Sequence, residues 1–596
     1  MAVLLVEQEL SLDPAGLTSG LADLLVVDIA GRTVLYALSR SENVLFELDL
    51  SSDGTLSIAN SLALTGTFTA GSDPILAYVT QANGSTRLTL AGVAEADGQS
   101  VTLGADGSIG TQSMLAGLGT LAAPTVLSVG GATAMVSGAT GGGLNLFTDT
   151  SSGFGWTAAL GDNSDRYLGD VSALVTFTLG AQTYVGTASA SENGINLAHV
   201  TNADLTQAGA LGAAEYLPVS TPEDMEVVQR FGETHLVVAS SGSSSLTTIA
   251  VGSGGVPLLS DHILDSEATA IGGVRSVETI RHGGTIYVAA GGDEGGVSLF
   301  TMLPGGRLVH LDTVADDSAL SLERITSVEL SIVGSALQIF AGTSSAADIT
   351  RLSYDLSTQG IVTFADGQGG GAVGTALDDQ VIGSDVGESL SGGGGDDILL
   401  DGAGIDSLTG GPGEDLFVLA ADGQLDVITD FERGVDKLDL SAFDFLYGVN
   451  QLTLTPEADG ATITHGDESL RIYTEDAAPL TIAELTTDDV LNVDRPPYLA
   501  TAQELIGGSG PDTLSGGFGN DTILGSAGDD ILFGNGGDDT IEGGGGADQI
   551  DGGSGVDTLR GQADADTIVG GSGSDLIYGD AGNDIIYGDD YDWSGA

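Results

Sequence analysis

The sequence predicts an all-β protein, a seven-bladed β-propeller followed by two parallel β-rolls. Three observations lead there. A strand motif recurs about every fifty residues through the first 370. A glycine- and aspartate-rich nonapeptide runs in register from Gly383 onward. Helical periodicity is almost absent.

The propeller is predicted over residues 1–370. Residues 24–368 read as short apolar, often alternating strands broken by Gly, Ser, Asn and Asp turns. The clearest unit follows Gly273 as four strands, 274–280, 285–290, 297–302 and 308–314, joined by tight turns. Its second strand recurs with a leading threonine at Thr33, Thr86, Thr133, Thr183, Thr234 and Thr285, and without it at Ala336. Successive spacings are 53, 47, 50, 51, 51 and 51 residues. A single four-stranded unit cannot bury its faces alone, and seven copies around an axis can. A β-solenoid or two β-sandwiches is the alternative, and the regular spacing favours the propeller. The strand Val3–Leu10 is expected to close the ring by pairing into the last blade.

Composition narrows the function classes. The chain has 596 residues, too many for one core. There are 84 acidic against 15 basic residues, giving a net charge of −69, and Lys437 is the only lysine. That balance argues against nucleic acid or an anionic membrane as partner and for cations. Cysteine is absent, so no disulfide can staple the fold. Aromatics are only 5%, so the cores rest on Ala, Val, Leu and Ile. The N-terminus has no positive region with an apolar stretch behind it, as a signal peptide requires. No run reaches the roughly 20 apolar residues of a membrane span. The expectation is a chain that leaves the cell by a route reading a signal elsewhere.

The nonapeptides form two blocks. Four repeats occupy 383–418, including Gly-Gly-Gly-Gly-Asp-Asp-Ile-Leu-Leu (392–400), and nine run from Gly507 through Tyr587 within the predicted second roll, 507–596. Position six is Asp397, Asp406 and Asp415 in the first block, preceded by Glu388. In the second it is Asp512, Asp521, Asp530, Asp539, Asp548, Asp557, Asp566, Asp575 and Asp584. Position eight is always Leu, Ile or Phe. The first six residues are predicted to turn, with glycines in left-handed conformations, and the last three to form a strand whose eighth residue points inward. Two repeats make one coil of eighteen residues. Position-six carboxylates should therefore stack in two files, 512/530/548/566/584 and 521/539/557/575. Coils about 4.8 Å apart bring those charges close enough to demand a cation between them. Calcium, with six to eight oxygen ligands including carbonyls, suits the turns better than magnesium or zinc. The gaps number seven in the second roll and two in the first, which sets the expected count of ions. Without calcium the 18 acidic residues of 507–596, opposed by Arg560 alone, should keep that segment unfolded.

These repeats resemble the RTX nonapeptide G-G-x-G-x-D-x-U-x of secreted, hemolysin-type calcium-binding proteins. The resemblance implies metal-binding repeats that fold on extracellular calcium, export by type I secretion machinery, and an extracellular or cell-surface location in a Gram-negative bacterium. Within the segment 419–500, read as a β-rich cap and linker, Asp426–Ser441 resembles the stretch that follows the roll in RTX proteases. Strands at 451–455, 461–465 and 469–473 and a short helix at 480–491 are expected there. Asp430, Asp436 and Asp439 read as solvated surface carboxylates in preference to further calcium ligands.

The propeller resembles seven-bladed, lactonase-like propellers in architecture, and no catalytic motif carries over. There is no H-E-x-x-H and no nucleophile elbow, so no catalytic or cofactor-binding residue is assigned. His199, His235, His262, His282 and His310 are expected to be structural, and Glu223–Glu226 to be a solvated loop. The reading is a module that binds an extracellular glycan or surface protein. The alternative is a secreted hydrolase working in the axial channel. Chelating calcium should collapse 383–596 and leave the propeller largely unaffected.

Overall fold

The computed structural model describes residues 2–12, 20–39, 43–65, 75–80, 85–91, 98–115, 122–129, 132–139, 142–150, 153–163, 166–212, 217–266, 268–316, 320, 322–443, 445–466, 468–496, 504–516, 520–534, 539–555, 557–573 and 575–588. Residues 497–500 of the predicted cap and linker, residues 501–503, and the part of the predicted second roll after Gly588 lie outside them.

Seven four-stranded antiparallel sheets follow one another along the chain, and their first strands touch in a closed ring. Those inner strands are Leu21–Ile29, Ile75–Thr80, Ala122–Val129, Val171–Leu179, Pro222–Arg230, Val274–His282 and Ile325–Val333. Burial explains the sequence pattern strand by strand. Val171–Leu179 faces the axis on one side only and alternates buried with half-buried residues. Thr285–Gly292 and Gly296–Met302 are covered on both faces by adjoining blades and are buried throughout. Outer strands such as Leu56–Ala63 are mostly exposed. The seventh blade borrows its outer strand from the other end of the chain, because Leu5–Ser11 pairs antiparallel with Asp348–Asp355.

The inner strands share a local device. A bulge after the first residue shifts the register in blades one, four, five, six and seven, and in all but the fourth, where Ala173 follows, a polar side chain comes next. That side chain then accepts an amide from a neighbouring inner strand. Asp23 takes Leu76 N–H at 2.7 Å, Asp224 takes Val277 N–H at 3.0 Å, Ser276 takes Val328 N–H at 3.0 Å and Ser327 takes Leu24 N–H at 3.1 Å. The run Glu223–Glu226 therefore lies on blade five's inner strand and is not a loop, since Asp224 is needed to fasten that blade to the sixth.

Parallel coiling begins at Gln359–Phe364, ahead of the first recognisable nonapeptide. One sheet stacks 359–364, 378–382, 398–400, 416–418 and 437–439, and the other stacks 372–373, 389–391, 407–409, 425–431 and 468–474. The register advances by 18 residues, pairing Leu390 with Leu408 and Leu399 with Phe417. Val381, Leu390, Leu399, Leu408 and Phe417 form a buried file that continues through Ile428 and Leu438 into Ile463, Leu470 and Ile472 of the hairpin cap. That cap has strands Thr453–Glu457, Gly460–His465 and Glu468–Thr474. The expected helix at 480–491 reduces to one 3₁₀ turn, Ile482–Glu484. Its continuation is diverted because Asp489 caps Thr486, and Leu438 and Leu440 draw Asp489 and Val490 into backbone pairing.

The second roll repeats the arrangement from Glu504–Ile506 to Ile585–Tyr587, with Ile523, Leu532, Ile541, Ile550, Leu559 and Ile568 as a single buried file. The first roll lies against blade six, where Leu303 and Val309 pack on Ile382, Ile398, Leu416 and Val418. Beside this contact lies Arg495, its side chain 10% exposed. It pairs with Asp261 of blade five at 2.6 Å, donates to Leu308 O at 2.8 Å and to Ser441 Oγ, and lies 3.8 Å from Asp439 of the roll. Arg307 holds Asp439 from the propeller side at 2.9 Å. No helix of the described residues is long and apolar enough to cross a membrane.

Candidate metal centre

Each position-six aspartate is placed by the strand that follows it, which locks the turn to the coil on either side. In the second roll Asp512 N–H donates to Asp530 Oδ1 at 2.8 Å, and the pattern continues through Asp548 and Asp566 to Asp584. The other file runs Asp521, Asp539, Asp557, Asp575 at 2.7–3.0 Å. These are the two files that an eighteen-residue coil requires. In the first roll Asp397 donates to Asp415 at 2.9 Å, and Glu388 donates to Asp406 at 2.7 Å. Glu388 thus occupies the place of an aspartate, its longer side chain reaching back to Ser384 N–H and Oγ.

Sequence reasoning missed three members of these files. Asp379 donates to Asp397 Oδ1 at 2.8 Å, Asp406 donates to Asp426 at 2.9 Å, and Asp415 donates to Asp436 at 3.1 Å. Asp379 sits at position six of 374–382, a repeat without glycine at positions two and four. Asp426 and Asp436 follow insertions that stretch the spacing to 20 and 21 residues. Asp436 and Asp439 are buried, at 3% and 0% exposure, so the reading of both as solvated carboxylates is corrected. Burial would raise the Asp439 carboxyl, but Arg307 and Arg495 outweigh it and hold the group at about 2. Asp430 accepts the amides of Gly410 and Gly411, both at 3.0 Å, and so closes a turn of the coil before it.

With one carboxylate oxygen spent on the neighbouring coil, the other folds back over the glycine at position one of its own repeat. A Cβ on Gly525 would lie 2.6 Å from Asp530 Oδ2, and the same overlap recurs at Gly392, Gly410, Gly543 and Gly561. Glycine is required there to leave room for a carboxylate. At position four, Gly546 has φ of +136°, and a Cβ would collide with the carbonyl of Gly528 one coil earlier. Backbone carbonyls therefore stack along the same turns as the aspartates.

The Oδ2 atoms of Asp397, Asp406, Asp415, Asp530, Asp548 and Asp566 are buried and accept no hydrogen bond. A buried carboxylate oxygen without a partner is costly. Burial, then neighbouring carboxylates, push Asp415 up to about 8, Asp397 to about 7, and Asp406 and Asp548 to about 6. Asp530 and Asp566 are raised for the same reasons. Among the described residues no three His, Cys, Asp or Glu side chains converge on one point. What each gap offers a cation is therefore a pair of carboxylates with backbone carbonyls, an all-oxygen donor set that suits calcium.

A second set of carboxylates lines the propeller axis. Asp23, Asp224, Glu226, Glu278 and Glu329 stand on the inner strands of blades one, five, six and seven. Burial pushes Asp23 up to about 7, and burial followed by mutual repulsion holds Glu226, Glu278 and Glu329 well above their ordinary value. Among the described inner strands only His282 is a histidine, at the far end of its strand where the hairpin turns. Three other histidines have packing roles. His262 is buried against Thr247 at 2.8 Å, His310 meets Thr313 at 2.8 Å, and His199 packs on Tyr184.

Comparison with known proteins agrees with this geometry. Residues 503–532, 524–559 and 560–590 match the family model described as RTX calcium-binding nonapeptide repeat. Residues 266–475 match the model described as Peptidase M10 serralysin C terminal, a span that takes in blades six and seven as well as the first roll and its cap. No curated protein matches the chain. Among solved structures, the crystal structure of BBS1N in complex with ARL6DN, soaked with mercury, is 12% identical with a TM-score of 0.40, covering 60% of this chain and 98% of that one. The structure of the Dos1 propeller is 11% identical with a TM-score of 0.35, covering 54% and 75%. RTX repeats bind calcium and imply a secreted protein, of a kind generally exported by Gram-negative bacteria. The chain is thus a seven-bladed propeller joined to a serralysin-type C-terminal roll and a run of RTX calcium-binding nonapeptide repeats.

Proposed function

We propose that calcium is held in the gaps between stacked aspartates, and that this binding folds the rolls once the chain has left the cell through type I secretion machinery. The ligands are Asp397, Asp406, Asp415, Asp512, Asp521, Asp530, Asp539, Asp548, Asp557, Asp566, Asp575 and Asp584, together with Asp379, Asp426 and Asp436. The single observation that carries this reading is the set of buried Oδ2 atoms that accept nothing within the protein. When bound, the ion supplies positive charge to carboxylates that otherwise repel one another. The side chains' own part is to tie coil to coil through Oδ1 and to exclude water from Oδ2. The files leave seven gaps in the second roll, and with the added members and Glu388 at the head of its file, three and two in the first. The test is the calcium content of the full chain after exhaustive dialysis, with about one ion expected per gap. Fewer than about four ions would overturn the assignment.

The propeller serves, in this proposal, as a binding or surface-structural module for an extracellular glycan or surface protein. Among the described inner strands no histidine stands beside the axial carboxylates, which supports it. The cluster of Asp23, Glu226, Glu278 and Glu329 favours a second reading, a hydrolase using a raised carboxylic acid in the channel. Screening the calcium-loaded full chain against glycans and against lactone and ester substrates separates the two. Turnover abolished by Glu278→Gln establishes the enzyme, and binding without turnover establishes the module.

A further inference from the structure

The repeats 374–382 and 383–391 differ from the three that follow in how their carboxylates are held. Asp379, at position six of its repeat, is buried, and both its oxygens are taken up by the chain. Oδ1 accepts Ile361 N–H at 2.5 Å, and Oδ2 accepts the amide of Thr375 and its hydroxyl, the latter at 2.9 Å. Glu388, which heads the second file, is closed in the same way by Ser384 N–H at 2.8 Å and by Ser384 Oγ. Thr375 and Ser384 both stand at position two of their repeats. Where that position is glycine, at Gly393, Gly402 and Gly411, the Oδ2 of Asp397, Asp406 and Asp415 accepts nothing. A hydroxyl at position two thus supplies the donor that the later turns lack, and no ion is needed to satisfy a buried oxygen.

The same coil is fastened to the propeller. Gln380 is buried. It donates through Nε2 to Thr301 Oγ1 of blade six at 2.9 Å and accepts Arg230 Nη2 of blade five at 3.3 Å. Arg230 also donates to Met302 O at 2.7 Å, so the side chain that reaches the roll is itself anchored on blade six. Gln359 donates to His282 O at 3.0 Å, Phe364 meets Phe231 edge-on at 5.0 Å, and Ile382 packs on Leu303 and Val309. Among the described residues the strands of the second roll pair only with one another.

We propose that residues 359–391 form a calcium-independent starter coil, folded with the propeller and on it, which templates the coils that calcium then builds. A lone coil has no apolar surface to lie on and no row of strand hydrogen bonds to join. The starter supplies both. Val381 and Leu390 are fully buried, and strands 378–382 and 389–391 pair in register with 398–400 and 407–409. The calcium-dependent part then begins at Gly392, nine residues later than the repeat pattern suggests, and the first roll condenses outward from the propeller. For the coils beyond 391 this rests on the calcium reading above.

The test is hydrogen–deuterium exchange of the full chain, read peptide by peptide, in EGTA and through a calcium titration. In EGTA, 359–391 should stay protected with the propeller while 392–418 and 507–587 exchange freely. Thr375→Val/Ser384→Ala removes both hydroxyls and leaves every acidic residue in place. It should abolish the protection of 359–391 in EGTA, and saturating calcium should restore it. Gln380→Ala should raise the calcium midpoint for 392–418 several-fold, leaving that for 507–587 and the calcium bound at saturation unchanged. Exchange of 359–391 at the unfolded rate in EGTA, with the propeller still protected, overturns the proposal. So does protection unaltered in the double variant, or a midpoint for 392–418 that Gln380→Ala does not move. Protection of 392–418 and 507–587 that is the same with and without calcium refutes the calcium reading, and the templating with it. A calcium response there with 359–391 unprotected in EGTA refutes the starter coil alone.

Discussion

Asp548→Asn is expected to act with opposite sign on the two states of the second roll. Asp548 lies mid-file, with Oδ1 accepting Asp530 N–H at 2.9 Å and its own amide donating to Asp566 at 2.9 Å. Asparagine keeps that oxygen and the volume, and replaces the unpartnered Oδ2 with an amide. In the calcium-free fold the carboxyl is raised from 3.8 to about 6. A carboxyl raised in the folded state favours folding below its unfolded value and opposes it as pH rises through the folded one. At pH 7.5 the ionised group therefore costs the apo roll up to roughly 3 kcal/mol, or about 2 once solvent screening is allowed for. Asparagine removes that cost. It also takes an anionic ligand from two gaps, so the calcium-loaded roll should hold about two fewer ions. Calcium titration followed by far-UV circular dichroism and metal analysis checks both halves. The apo variant should show more β signal than the wild type, and the calcium-loaded variant a higher midpoint with reduced stoichiometry. An apo form no more ordered than the wild type, together with unchanged stoichiometry, would refute the ladder as the origin of calcium dependence.

Acid should compete with calcium more strongly in the first roll than in the second. Asp415 at about 8 and Asp397 at about 7 take up protons before Asp548 at about 6, so lowering pH from 8 to 6 should release calcium from residues 359–440 first. Calcium retention measured against pH checks the order. Gly546→Ala, which combines a φ of +136° with a collision against Gly528 O, should raise the calcium midpoint of folding several-fold. Gly545→Ala, with nothing within 4 Å of a new Cβ, should leave it unchanged. Arg495→Ala leaves Asp261 and Asp439 buried at 7% and 0% exposure beside a lost cation. It should cost about 3–5 kcal/mol and separate the melting of blades five and six from that of the first roll in calorimetry.

What the sequence made legible follows from periodicity. A turn that needs glycine at fixed places and a carboxylate at another writes itself every nine residues, and the leading threonine marks each blade's second strand. Legibility ends where the constraint is not periodic. Asp379 stands in a turn without the usual glycines, and Asp426 and Asp436 follow irregular spacers, although all three share the hydrogen bond of their neighbours. Arg495 reads as part of a linker because Asp261, its partner, is 234 residues away. The axial carboxylates were visible only as the run at Glu223–Glu226, since Glu278 and Glu329 are unremarkable until the ring sets three glutamates side by side. Asp439 was misread because an acidic residue in an acidic chain gives no sign of the arginines beside it, and Asp436 because its irregular spacer hides the amides of Asp415 and Glu432 that it accepts.

The pairing of Leu5–Ser11 with Asp348–Asp355 has a consequence for the order of folding. Closing the ring joins segments more than 300 residues apart, and loop-closure entropy for an unstructured chain of that length is about 5 kcal/mol. Six blades must form first for the effective separation to fall, so the latch closes last and the topology sets the slow phase. Only four residues after that strand the first coil begins, at Gln359. A roll condensing on calcium therefore immobilises one half of the latch, and should shorten the search made by the other.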